Sequence, residues 1–502
     1  MDGVFILDFL RALPVDGAYE FAARYYAQYP AINVGYRPPG FPLVEALFNA
    51  VFGVNVWSSR LAILPFAMVG ILAWHRLVHR LFDGATAFAA TLLLVTTPFL
   101  VQWGWYTMND LATLFLAMLL ADLFHHSTES PARRYVYGSA IVFVLAVWTK
   151  QTAVFLGLWL LLYLAATRRL RAYLARKETW IALALVAGLL APLVLLTLWL
   201  SDFNVVQSIG VGARASPLWR LQGWNLALYP GSLVRDQLPV AALLLSLAGM
   251  GAALWKRDGR VLYFALLIVS TYVFFTYLVA KEPRYTVFWL PACTLFAAVP
   301  LGYLAPHPRA RVAYASLLGL LAVAQVADVY ARTPAYAAGY AEAAEWVLQH
   351  REAPMIFFDG TSGSFIYFIR ALDPERSMFV LRGDKLLTSA VLSKQIGLQV
   401  HARSRRDIQD IFDRYGVVHV VVERDERSSV PIHHELRHFL RTGAFELVRE
   451  IPVDSTWDSL KGQVLQIYRY RTPKPLTATH LELRLPIVGR TITVPIKPAG
   501  TP

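Results

Sequence analysis

Asp16 and Arg37 are reactive side chains set in a stretch of stiff backbone just ahead of apolar runs of membrane length. A carboxylate can take a proton, and a fixed cation can meet an anion. The densest stretch lies near the start. There Val15-Asp16-Gly17-Ala18-Tyr19-Glu20 is followed by Gly35-Tyr36-Arg37-Pro38-Pro39-Gly40-Phe41-Pro42. Pro38 and Pro39 fix φ near about −65° and bias the preceding residue toward an extended backbone, so Arg37 is held in place. A long series of apolar segments of membrane length follows.

The elements that must do the positioning are set by composition. The chain has 502 residues, 56% hydrophobic and 16% charged, with a mean hydropathy of +0.45. A soluble chain is about 25% charged, so this is a polytopic α-helical membrane protein. Its net charge of +13 would point to nucleic acid in a soluble chain. Here the basic residues collect between apolar runs, as the positive-inside rule describes, and no nucleic-acid partner is expected. The single cysteine, Cys293, lies in an apolar run and excludes an intrachain disulfide or a cysteine metal cluster. Met1 to Pro14 has no basic start and carries Asp2, Asp8 and Arg11, so no cleavable leader is read there.

Phe41 to Val51 forms an amphipathic helix too short to span, since spanning takes about 20 residues. Residues 1–56 are therefore expected to form an outer loop with interfacial helices. About ten spans follow within 57–330, at roughly 57–75, 84–103, 108–124, 134–149, 151–167, 180–200, 236–255, 260–279, 286–304 and 312–330. Basic clusters such as His75-Arg76…His79-Arg80, Arg133-Arg134 and Arg168-Arg169 fall on every second connection, which assigns those to the cytoplasm. Residues 1–56, Trp103 to Asp110, the break at Lys150, the loop 201–235 and Lys281 to Tyr285 then face outward. Ten spans place both termini outside, a parity that works naturally if a further span precedes Met1.

Residues 335–475 read as an extracytoplasmic α/β domain, with strands at Met355–Asp359, Met378–Leu381, Val417–Val422 and Gln463–Arg471. Helices are expected over Ala335–Gln349, Ser364–Ala371 and Arg405–Tyr415. Residues 476–502 form a tail, with a terminal hairpin over Leu481–Val494. Gly210-Val211-Gly212 lacks the strand and helix context of a nucleotide fingerprint, and the chain has neither a Walker A sequence nor H-E-x-x-H.

The order of several short motifs carries a resemblance. The first-loop acid and Arg37-Pro38-Pro39 precede Phe52-Gly53-Val54 and Ser59-Arg60-Leu61; Thr97-Pro98, Asp110 and Trp148-Thr149-Lys150 follow. That order is similar to the GT-C-type glycosyltransferases of the protein O-mannosyltransferase and lipid A aminoarabinose-transferase kind. It covers most of residues 15–170 and continues weakly to Arg284-Tyr285. The resemblance implies an inner (plasma) membrane enzyme of the cell envelope. Such an enzyme moves a sugar, a hexose or pentose, from a polyprenyl-phosphate donor to a hydroxyl on a lipid, glycan or protein acceptor. It places Asp16 at the first-loop acid, with Gly17 where a second acid usually stands. Arg37 takes the place of a lysine before Pro-Pro, and Asp110 and Lys150 match an acid and a Thr-Lys lysine. Some members hold a divalent metal near these acids; this sequence gives no independent ligand set.

The chemistry follows from those roles. Sugar transfer needs a base for the acceptor proton and cations for the departing phosphate. Asp16 is the candidate base, with Asp110 as a second catalytic acid. Arg37, Lys150 and Arg284 are candidates for the phosphate, and one-step displacement inverts the anomeric centre.

Each residue also has a plain structural use. Asp16 could cap the helix beginning at Ala18, and Asp110 could favour a helix N-terminus. Arg37 and Arg60 could be interfacial anchors, and Lys150 a solvated turn lysine. Trp103, Trp105 and Tyr106 fit an aromatic belt, with sugar stacking as the sharper alternative. His434 and His438, with His433 adjacent, fit a solvated helix face better than a metal site. A lipid or solute transporter is the alternative from another class. It would show two related halves and charges at mid-membrane, which this chain does not.

Overall fold

The computed structural model describes all residues except 34–36, 131, 201–207, 209, 211–215, 306–308, 362, 390–397, 427, 486–489 and 497–502. Gly35 and Tyr36 of the early motif, and Val211 and Gly212 of the Gly-x-Gly, lie outside the described residues. The chain divides into two units, Met1–Asn33 with Thr333–Pro502, and Val34–Arg332. The stretch 1–56, expected as one outer segment, is thus divided at Asn33.

The Val34–Arg332 unit is helical. Its first elements are α3 (Gly40–Phe52), α4 (Val56–Leu61), α5 (Leu64–Leu81), α6 (Gly84–Val95), α7 (Pro98–Gly104), α8 (Asn109–Glu129) and α9 (Arg133–Thr149). A helix lies at each of the ten expected positions, yet among the described residues only six are long and apolar enough to cross a membrane. The pair α6 and α7, bent by 53°, would make a seventh. The bend has a local cause: Thr97 precedes Pro98, which disfavours a helical Thr97 and takes the first position of α7. Of the remaining expected spans, α9 has 17 residues, Gln151–Ala166 opens with a 3-10 turn and leaves 12 α-helical residues, and Val240–Trp255 has 16. All three fall below the length a perpendicular crossing needs.

Burial separates the helices into centre and rim. The apolar windows of α8 and of Pro283–Gly302 are 78% and 89% buried, whereas those of Lys177–Trp199 and Arg311–Ala331 are 11% buried. Asp110 and Arg284 are each the second residue of these two central segments. Close approach secures them: a Cβ at Gly70 of α5 would sit 2.6 Å from the Phe115 carbonyl of α8. Only glycine lets these two backbones come so near.

The other unit is an α/β domain. Its five-stranded sheet has the order β2-β1-β5-β7-β6, from β1 (Met355–Asp359), β2 (Phe379–Arg382), β5 (His419–Glu423), β6 (Phe445–Pro452) and β7 (Val464–Tyr470). β1 runs parallel to β2 and β5, while β7 is antiparallel to both β5 and β6. All five residues of β1 and of β5 are buried, the continuous apolar run of a strand covered on both faces. β3 (Thr388–Ser389) and β4 (Gln399–Val400) form a separate antiparallel pair, and the expected strands and the terminal hairpin, β8 (His480–Leu485) with β9 (Arg490–Pro495), are present.

The N-terminal helices α1 (Asp2–Ala12) and α2 (Ala18–Gln28) pack into this domain. Asp8 accepts two hydrogen bonds from Arg370, at 2.8 and 2.6 Å, and one from the Tyr25 hydroxyl at 2.9 Å. Both partners of the pair are at least 95% buried. Gln28 donates to the Met378 carbonyl beside β2 at 3.0 Å.

Candidate functional site

Asp110 stands in the first turn of α8, where the helix dipole favours an acid. Asn109 fixes that turn by donating from Nδ2 to the Thr149 carbonyl at 2.8 Å, which ties the start of α8 to the end of α9. Lys150 is the next residue. Its backbone is extended, with φ −152° and ψ 119°, between α9 and the turn Gln151–Val154. The long apolar run around Lys150 is therefore broken at the lysine, as the sequence suggests. Its ammonium pairs with Asp110 Oδ1.

Arg284 enters from the turn Pro283–Trp289. Its Nε lies 3.7 Å from Asp110 Oδ2, and Nη1 lies 4.0 Å from Glu282 Oε2. The first distance is an ion pair and too long for a hydrogen bond. Arg284 Nε is buried with no acceptor among the described residues. Aromatic rings flank the cations. The Lys150 ammonium lies 4.5 Å from the centre of the Tyr285 ring. The Arg284 guanidinium lies 5.2 Å from that of Trp103 and 5.5 Å from that of Tyr285. Trp103 meets Tyr106 edge to face at 5.1 Å. Trp103 thus flanks the cations, while Trp105 is exposed.

Arg37 is exposed, ahead of a buried Pro38, and its charge is felt at Lys150. The segment behind it is held by contact: a Cβ at Gly40 would lie 2.6 Å from the Trp148 carbonyl. The proline motif and the Lys150 turn therefore meet through backbone. Arg60 lies in α4, with its guanidinium 5.4 Å from the Trp57 ring centre, outside this cluster of contacts.

The structure brings together Asp110, Lys150 and Arg284, with Arg37 in electrostatic reach. Asp16 belongs to the other unit, where it is exposed in the turn between α1 and α2. The helix cap there is Gly17, at φ 103°, so Asp16 is not the cap. Tyr285, Asn109 and Gly40 went unread as site residues. The Arg284-Tyr285 pairing was a visible signal; the other two show only once the helix ends meet.

A divalent cation needs carboxylate or imidazole donors with free lone pairs. Asp110 gives one oxygen to Lys150 and the other to Arg284, and Glu282 Oε2 faces the same Arg284 at 4.0 Å. The described residues of this cluster therefore do not fit a metal ion.

A second charged cluster closes one end of the sheet in the α/β domain. Asp359, at the end of β1, accepts from His433 Nδ1 at 2.9 Å and pairs with Arg437. His433 Nε2 meets the Thr388 hydroxyl at 3.1 Å, and Arg437 also pairs with Glu426 at 2.8 Å. Asp359, Glu426 and His433 have metal-ligand spacing. The Arg437 guanidinium already holds both acids. His434 and His438 lie on the exposed face of the same helix.

Burial pushes the Asp359 carboxyl up, but the His433 hydrogen bond and the Arg437 charge outweigh it and hold it below the ordinary value. Burial pulls His433 down, and the Asp359 hydrogen bond and charge carry it above its ordinary value.

Comparison with known proteins fits this architecture. Residues 36–196 match the model of the dolichyl-phosphate-mannose-protein mannosyltransferase family. ArnT from Cupriavidus metallidurans in the apo state superposes with a TM-score of 0.56 at 15% identity, covering 89% of this chain and 92% of ArnT. The fold is GT-C. ArnT bound to undecaprenyl phosphate superposes with a TM-score of 0.58 at 14% identity over the same shares. The archaeal oligosaccharyltransferase AglB from Archaeoglobus fulgidus, in complex with an inhibitory peptide and a dolichol-phosphate, gives 0.54 at 11%, covering 79% of this chain and 62% of AglB. No curated protein matches the chain in sequence. The GT-C resemblance expected from the motifs is thus present in the fold, as a multi-pass helical membrane unit joined to an α/β domain.

Proposed function

We propose that this protein is a membrane glycosyltransferase that takes a sugar from a polyprenyl-phosphate donor and passes it to an acceptor hydroxyl. The observation that carries the reading is the cluster of Lys150 and Arg284 around Asp110, with a buried Arg284 Nε that has no acceptor among the described residues. A buried charged donor without a hydrogen-bond acceptor is costly, and an oxygen of a lipid phosphate would satisfy it. The family match over 36–196, the undecaprenyl phosphate bound to ArnT and the dolichol-phosphate bound to AglB support the same donor class.

In this reading Asp110 keeps the two cations together before the donor arrives. Lys150, Arg284 and Arg37 then stabilise the phosphate as the C1–O bond to it breaks and the electron pair passes to its oxygen. The acceptor oxygen bonds to C1 from the opposite face, so the configuration inverts. Its proton goes to a carboxylate, for which the motif order supports Asp16. Tyr285 and Trp103 wall the cations and are candidates for contact with the sugar. We place the reaction on the outer face of the plasma membrane, with the α/β domain on that side. A hexose or pentose donor and a lipid, glycan or protein acceptor fit the proposal alike.

The test is transfer and donor binding in membranes with a panel of polyprenyl-phosphate sugars and envelope acceptors. Release of polyprenyl phosphate with labelling of an acceptor, lost in Lys150→Met at equal protein abundance, supports the reading. Binding of polyprenyl phosphate that is unchanged by Lys150→Met and Arg284→Gln overturns the phosphate site.

A further inference from the structure

Helix α8 carries a second charged cluster toward its other end. Asp122 lies about 18 Å along the axis from Asp110. Its carboxylate is fully buried and accepts from Arg80 Nη1 at 3.0 Å and from Arg76 Nη2, both on α5. Arg80 also meets His126 Nε2, and the His126 ring stacks on Tyr135 at 4.5 Å. Arg134 donates to the Tyr135 hydroxyl at 3.1 Å, with its guanidinium 4.9 Å from the ring centre.

Charge does not balance here. Among the described residues, Asp122 is the only acid paired with Arg76, Arg80 or Arg134. Nearby Glu129 is engaged by Arg169 at 2.8 Å and Glu178 by Arg133 at 3.2 Å. Two arginines therefore share one carboxylate, and Arg134 pairs with no acid among the described residues. A buried acid of this kind holds its arginines in place, and it can cancel only one of their charges.

The exposed face beside the cluster says what the surplus meets. On α5, Met68 and Leu72 are each 65% exposed, and the Arg76 side chain is 64% exposed. They follow one another at four-residue steps and so form one stripe. In a helix that crosses a membrane, such a stripe faces acyl chains, and its terminal arginine reaches the headgroup level. A guanidinium fork placed there suits a phosphate, with aliphatic side chains below it for the tails.

We propose that Arg76, Arg80 and Arg134 form a docking site for the phosphodiester headgroup of an anionic membrane lipid, at the end of α8 remote from Asp110. The lipid phosphate bridges the arginines of α5 and α9, and its acyl chains lie along Met68 and Leu72. Asp122 is a positioning residue that sets the two α5 guanidinium groups. The site is independent of the proposed transfer reaction.

The test is native mass spectrometry of the full chain in a zwitterionic detergent, titrated with phosphatidylglycerol or phosphatidylcholine. Tighter retention of phosphatidylglycerol is expected. Its affinity should fall about fivefold in Arg134→Gln, which leaves the Asp122 pairs untouched, and roughly thirtyfold in the double variant Arg76→Gln/Arg80→Gln. Arg171→Gln, on another basic segment, should bind as the unaltered chain does. Equal retention of the two lipids overturns the proposal. So does unchanged affinity in Arg134→Gln, or displacement of the lipid by inorganic phosphate at the lipid's own concentration.

Discussion

Lys150 and Asp110 are joined as an ion pair across 40 residues of sequence, one just past the end of α9 and the other in the first turn of α8. Arg284, on the second central helix, lies against the same carboxylate. The acid is thus placed to organise cations, and the expectation that Asp110 acts as a second catalytic acid becomes a proposal about their positioning.

Replacing Asp110 by Asn should therefore separate binding from chemistry. The two cations lose the charge that holds them, so donor KM should rise by more than kcat falls, a pattern expected when ground-state positioning is lost. Steady-state kinetics with a polyprenyl-phosphate sugar distinguish this from a general base, whose removal lowers kcat by about 10²–10⁴-fold.

Asp16→Asn should lower transfer by about 10²–10⁴-fold at equal membrane abundance, the loss expected for the general base that Asp16 is proposed to be. Binding of polyprenyl phosphate should be unchanged. Full transfer activity in this variant would sink the assignment of Asp16.

Gly40→Ala should weaken both packing and transfer. The added Cβ would sit 2.6 Å from the Trp148 carbonyl, a backbone atom that cannot step aside. Overpacking of this kind costs about 1–3 kcal/mol. A melting point lowered together with donor affinity is the expected result, since Gly40 carries the Arg37 segment against the Lys150 turn.

Asp8→Ala should destabilise the α/β unit by about 3–5 kcal/mol, since it leaves Arg370 buried and unpaired. Hydrogen exchange should rise in α1 and in Ser364–Leu372 while the protection of α8 is kept. Unchanged exchange in Ser364–Leu372 would show that the pair does not hold that helix.

The Asp359–His433 pair predicts a stability window in pH. The folded Asp359 value is lowered, so its contribution is present above the ordinary value of about 3.9 and is lost as pH falls through the folded value. The folded His433 value is raised, so its contribution is present below about 6.5 and is lost as pH rises through the folded value. Protection of the Pro431–Leu440 amides should be greatest between those limits. His433→Gln should abolish the loss on the alkaline side and keep the loss on the acid side.

The sequence by itself determined the class of the chain, because local length and period carry that information. Runs of apolar residues placed a helix at each of the ten expected positions, and the short apolar runs at 355–359 and 417–422 read as strands. The Thr-Lys break and Arg37-Pro38-Pro39 were equally visible, since proline and an isolated charge act on their own neighbourhoods. Tertiary structure decided the rest. Helix α1 has an apolar face that suits lipid or a sheet equally well, and the Asp8–Arg370 pair, which assigns it to the α/β domain, joins residues 362 apart. Span number turned on where Pro98 and Lys150 ended helices, which shortens several segments below membrane length. The partnership of Asp110 with Lys150 and Arg284, and the place of Arg437 between two acids, depend on which helix ends meet, and no local pattern encodes that.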